Sequence, residues 1–188
     1  VYIFAMRSSL TRHRPLLVFL VKMLAFYAAW YLVYDLWLLP DGRLDAAVAR
    51  NAAVLSGALL DLLGVEVLVD GRVVLLASGR GVLVADDCTG LATIGLFLGF
   101  VLAFPGRALR RALFIPAGVA LVHLANVGRI AFLTWFLEAY PRLFDVVHEW
   151  GVLPFFYAIV FALWVAWARY GTDGAVLRPR GAAQPVAG

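Results

Sequence analysis

The stretch VADDCTGLATIGLFLGF, residues Val84 to Phe100, sets the only cysteine of the chain between two aspartates and the start of a long apolar run. An edge of that kind reads as a chain entering a membrane with a thiol held at the water boundary. Composition agrees, because 64% of the 188 residues are hydrophobic and the mean hydropathy is +0.90, more than one soluble core can hide. The expected class is an integral membrane protein. A single cysteine excludes an intramolecular disulfide, and no second cysteine or histidine cluster offers zinc ligands. Cys88 is therefore either a reactive thiol or inert packing. Of the 16 basic residues only Lys22 is a lysine, and the net charge of +4 follows from topology rather than from nucleic-acid binding.

Working outward, four runs approach the roughly 20 apolar residues that a spanning helix needs. They are residues 15–39, a second beginning beside the cysteine (Leu91 to Phe104, or 88–104 with the cysteine included), 112–137 and 152–168. The second is short and needs either the residues around Cys88 or a thinned bilayer. The first has the basic flank of a signal peptide in Arg7, Arg12 and Arg14, but it is too long and lacks a small-residue cleavage site, so it reads as a retained anchor. Val1 stands where methionine is usual, which makes Met6 an alternative first residue.

Arginines orient the spans. Arg7, Arg12, Arg14, Arg107, Arg110, Arg111, Arg169, Arg178 and Arg180 all fall on one side, which the positive-inside rule makes cytoplasmic. Both termini are then expected inside, with the tail 171–188 cytoplasmic, and residues 40–87 and 138–151 outside. The expected fold is an all-α polytopic membrane bundle of about four transmembrane helices with a small extracytoplasmic helix and β-meander, one membrane domain over residues 1–188. Within 40–87, the alanine- and leucine-rich segment Leu44 to Leu63 predicts a helix ended by Gly64. From Val65 the valine-rich pattern predicts strands, with Asp70-Gly71 as one turn and Gly79 to Gly81 as another.

Other polar groups reach the same boundary as Cys88. Arg129 lies 17 residues after Ala112, roughly 25 Å along a helix rising from the cytoplasmic face. An arginine in an apolar run costs about 2.5 kcal/mol or more near a span centre, so it should face protein or a wet cavity. His123 and Asn126 precede it at three-residue steps and read as one polar stripe facing the bundle. His148 stands about one turn before the last apolar run. An imidazole exchanges a proton near neutral pH, while a guanidinium can lower a thiol pKa, offset the aspartates or bind an oxyanion. Each group has a bland alternative: a lone cysteine packs, a boundary histidine is solvated, and His123 and Asn126 serve as interhelical hydrogen-bond groups.

These residues resemble the exosortase/archaeosortase family of membrane cysteine transpeptidases. The resemblance rests on Cys88-Thr89-Gly90 at the start of a span, where threonine keeps the hydroxyl of the family's serine, on Asn126-x-x-Arg129 in the next span, and on His148 before the last. It implies that Cys88 attacks a peptide carbonyl in a C-terminal sorting signal and forms a thioester, with His148 as acid and base and Arg129 holding substrate or oxyanion. Thr89, Gly90, Asn126 and His123 would support or bind substrate. The implied partner is a secreted protein ending in a hydrophobic helix and a basic cluster, presented from the lipid bilayer; no cofactor, metal or nucleic acid is implied. The family's bacterial members look to carry about eight spans against about four here, so the resemblance leads to the expectation of a compact member with a target of its own. Two rivals remain open: a non-catalytic assembly factor for exopolysaccharide or cell-surface export, and a transporter-like subunit whose Arg129 stripe lines a polar path.

Overall fold

The computed structural model describes residues 2–172, and the side chains of residues 2–12, 152 and 153 are outside that description, as are Arg178, Arg180 and the tail from 173 onward. Helix α1 (Tyr2–Trp30) continues through a π-helical segment, Tyr31–Leu38, into a last turn, Leu39–Asp41. Gly42 then reverses the chain into α2 (Arg43–Leu62). Strands β1 (Val67–Asp70), β2 (Val73–Leu76) and β3 (Gly81–Leu83) form an antiparallel meander in the order β1-β2-β3. Asp70 pairs with Val73, so the first turn falls on Gly71 and Arg72, one residue beyond the dipeptide the sequence points to. The remaining helices are α3 (Leu91–Ala103), α4 (Ala108–Ala139) and α5 (Val152–Tyr170), the last entered through short turns and a second π segment, Val147–Gly151.

Among the described residues three helical stretches are long and apolar enough to cross a bilayer: His13–Asp41, Ala108–Ala139 and Pro141–Tyr170. The fourth apolar helix, α3, has 13 residues, about 20 Å against a hydrocarbon core of about 30 Å. Cys88 does not extend it, because the chain turns left-handed at Gly90 (φ 82°) immediately before Leu91. At the other end Phe104 is extended ahead of Pro105, as a residue before proline prefers.

Small residues decide which helices touch. Gly95 and Gly99, four apart on α3, let α1 approach: a Cβ there would stand 2.6 Å from Trp30 and 2.8 Å from Phe26. Around this contact Tyr34, Phe97, Val101, Val122, Phe156 and Trp167 close the core shared by α1, α3, α4 and α5. A second core lies where α2 meets α4 and the meander. Ala49, Ala52, Ala53 and Leu60 pack there on Val127, Ile130 and Ala131, with Val74 and Val84 from the meander side. Ser56 Oγ, fully buried, donates to the Val127 carbonyl at 3.0 Å and fixes the register of α2 on α4. The meander and the cysteine turn thus rest on one end of α4.

Candidate active site

Cys88 closes a single 3-10 turn, Asp86–Cys88, that links the last strand to α3. Its carbonyl accepts from Asn126 Nδ2 at 2.9 Å, and Asn126 is itself fully buried on α4. Thr89 follows with its hydroxyl inside the turn, 2.9 Å from the Asp86 carbonyl and 3.3 Å from Asp45 Oδ1. Gly90 supplies the left-handed residue that any side chain would strain. Threonine and glycine after the cysteine are accordingly the residues that shape the turn.

Two further groups converge on the sulfur. Arg129 Nη2, from the same face of α4 as Asn126, lies 3.9 Å from Cys88 Sγ. Its guanidinium is steadied 5.9 Å above the Phe156 ring of α5. His148 Nε2 lies 4.0 Å from Sγ, and its ring stacks on Phe144 at 5.7 Å with 6° between planes. His148 belongs to the π segment Val147–Gly151. Single π turns are rare in helices and frequent at functional sites. A thiol, a guanidinium and an imidazole from three separate elements therefore share one spot, each half-buried.

Two expectations need correction. Arg129 does not offset Asp86, because Arg72 pairs with that carboxylate and donates its Nε to the Val84 carbonyl at 3.0 Å. Nor does the thiol become easier to ionise. Burial pushes the Cys88 pKa up; Arg129 pulls it back, and the neighbouring Asp87 pushes it up again. Burial is the largest of these effects, so the net shift is upward.

His123 also departs from the reading of one polar stripe. It bonds Asn51 Oδ1 on α2 at 2.8 Å, away from the sulfur. Steps of three residues turn a helix back by about 60° each, so two steps carry His123 roughly 120° from Arg129.

Asp45 and Tyr34 join the site without standing out in the sequence. Asp45 is fully buried beneath the cysteine turn, where its Oδ1 accepts from Tyr34 OH at 2.8 Å. One signal does mark it: Asp45 shares the spacing of Ala49, Ala52, Ser56 and Leu60, the buried stripe of α2.

Beside the site, α4 and α5 leave an apolar groove of about 540 Å³, lined by Ala125, Gly128, Arg129, Phe132, Gly151, Phe155 and Ile159. Arg129 is the charged residue among them, so the groove runs up to the guanidinium at the sulfur. Among the described residues no three His, Cys, Asp or Glu side chains converge as metal ligands would.

Residues 2–165 match the family model described as Transmembrane exosortase (Exosortase_EpsH). The chain belongs to the transmembrane exosortase family. It is also similar to Archaeosortase A of Natronomonas pharaonis, at 28% identity over 128 residues, covering 64% of this chain and 41% of that protein. It thus spans about two fifths of the length of that curated relative. No solved structure matches. In this exosortase-family chain the site brings together a thiol, an imidazole 4.0 Å from it and a guanidinium 3.9 Å from it. That set is suited to acyl transfer.

Proposed function

We propose that this chain is a membrane cysteine transpeptidase that cleaves the C-terminal sorting signal of a secreted protein through a thioester on Cys88. The observation that carries the reading is the convergence of Arg129 and His148 on one sulfur, at 3.9 and 4.0 Å. Family membership supports the same reaction class.

The chemistry follows from those positions. Burial pushes the thiol pKa up, so the sulfur must shed its proton as the bond forms, and His148 Nε2 is the base placed to take it. The sulfur attacks the scissile carbonyl carbon, and the carbonyl oxygen gains negative charge within reach of the Arg129 fork. His148 then gives the proton to the departing amine nitrogen. The C–N bond breaks and the acyl group stays on sulfur. An acceptor amine attacks the thioester, passes its proton to His148, and releases the acyl group with the thiol restored. Asn126, by holding the Cys88 carbonyl, keeps the sulfur aimed between the two partners.

The groove between α4 and α5 suits the apolar helix of the sorting signal. Its lining is aliphatic and aromatic, it runs along two helices long enough to span, and Arg129 sits where a polar recognition segment would follow. This reading puts the active site at the extracytoplasmic face, with both termini in the cytoplasm.

Cys88→Ala is the first test. With the variant present at normal abundance, the secreted substrate should remain as unprocessed precursor. Normal processing would reject the transpeptidase; a protein needed for surface display whose substrate is never cut would be an assembly factor.

A further inference from the structure

The most deeply buried carboxylate in the described part of the molecule takes no part in the chemistry above. Asp45 is 0% exposed, and its Oδ2 has no hydrogen-bond partner. Its Oδ1 is the meeting point of two hydroxyls. Tyr34 OH donates to it at 2.8 Å, and Thr89 Oγ1 stands 3.3 Å away. Isolated buried carboxylates are costly, and one with a free oxygen is a poor choice for stability alone. The three residues come from three elements: the π segment of α1, the first turn of α2, and the residue following Cys88.

We infer that Asp45, braced by Tyr34, is a positioning residue that holds the Cys88 turn in register with Arg129 and His148 through Thr89. The inference rests on the reading of Cys88 as nucleophile and adds a component to it. The turn is a single 3-10 turn, too short to define its own position. Asn126 grips it from α4 through the Cys88 carbonyl, and Asp45 grips it from α2 through the next side chain. Removing the second grip lets the turn swing about the first. The sulfur then leaves the point where Arg129 and His148 meet, while the groove between α4 and α5, which Asp45 does not line, remains as it was.

The signature is a split between rate constants. Asp45→Ala in proteoliposomes, normalised to folded enzyme, should lower kcat roughly 10- to 100-fold with KM within about threefold, as displacements near 1 Å do. Asp45→Asn keeps an acceptor oxygen and should recover most of the lost rate. Thr89→Val removes the hydroxyl that Asp45 meets, so adding it to Asp45→Ala should cost less than the product of the single losses. Should Asp45→Ala fail to fold, Tyr34→Phe provides the milder version, with a loss in kcat and no loss in affinity. Wild-type kcat per folded molecule in Asp45→Ala, or independent effects of Asp45→Ala and Thr89→Val, would overturn the inference. Cys88→Ala is run alongside. If it still processes substrate the nucleophile reading itself has failed, whereas an inactive Cys88→Ala beside an unimpaired Asp45→Ala removes only Asp45.

Discussion

Arg129→Lys separates geometry from charge at the proposed site. The guanidinium nitrogen lies 3.9 Å from Cys88 Sγ, and the group is held over Phe156. Lysine keeps the positive charge but ends one atom sooner and loses the planar pair of donors, a shortfall in reach of about 1 Å. A displacement of about 1 Å at a reacting centre costs about 100-fold, or about 2.7 kcal/mol at 1.36 kcal/mol per decade. That matches the lower end of the 10²- to 10³-fold cost of losing one oxyanion donor. If Arg129 served only as a charge, lysine would preserve most of its attraction, and the rate would fall by less than about threefold. The assay is single-turnover conversion of precursor to mature substrate in proteoliposomes, with folded enzyme quantified by thermal unfolding. A fall near 100-fold is expected. A rate within threefold of the parent would refute the oxyanion role and leave Arg129 as a compensating charge.

The groove can be blocked at Gly128, where an added Cβ would meet nothing within 4 Å. Gly128→Trp should therefore fold, gaining some of the roughly 1 kcal/mol that a helix-interior glycine forfeits, yet raise KM at least about tenfold by filling a pocket of drug-ligand size. An unchanged KM would move the substrate helix elsewhere. Because burial raises the Cys88 pKa, alkylation of the native protein by iodoacetamide should have its pH midpoint above that of an ordinary free cysteine. The reactive form is the thiolate, so the rate climbs as pH rises through that midpoint, and Arg129→Met should shift it further up; a midpoint below that of free cysteine would contradict the first expectation, and an unmoved midpoint in Arg129→Met the second. For topology, a membrane-impermeant maleimide applied to intact cells should label Ser78→Cys in a Cys88→Ala background and spare Pro105→Cys, at an exposed position of the opposite loop. The reverse pattern would invert the orientation.

Part of this site is legible in the sequence, for reasons tied to particular residues. Arg129 stands out because a cation in an apolar run must have a partner, and its depth follows from helix rise alone. Cys88 and His148 stand out because each marks the edge of an apolar run. The meander is visible in its valines and in Gly71 and Gly79, although the first turn lies one residue later than Asp70-Gly71 suggests. The rest depends on rotation rather than on sequence spacing. His123 shares a stripe with Arg129 only until the 60° backward step of each three residues is summed, which turns it to Asn51. Asp45 is hidden because the sequence predicts α2 as a helix without naming what it packs on, and only the spacing of its alanines indicates the buried face. The π segment carrying His148 has no signature in the sequence, where residues 147–151 read only as the approach to the last apolar run. The pKa of Cys88 is illegible for a related reason: Arg129 is visible as a charge, while burial emerges only when α3, α4 and the turn are assembled.

Everything proposed for the site depends on a bond between Cys88 and substrate. Enzyme in proteoliposomes is given a substrate carrying its C-terminal sorting signal, with acceptor amine withheld, and is read by intact mass spectrometry. The expected result is an adduct equal in mass to the acyl portion of the cleaved substrate. It should be discharged by hydroxylamine, absent from Cys88→Ala, and slow to form in His148→Ala. Cleavage of substrate by Cys88→Ala, or cleavage by the parent enzyme without any adduct on Cys88 at any time, would contradict it.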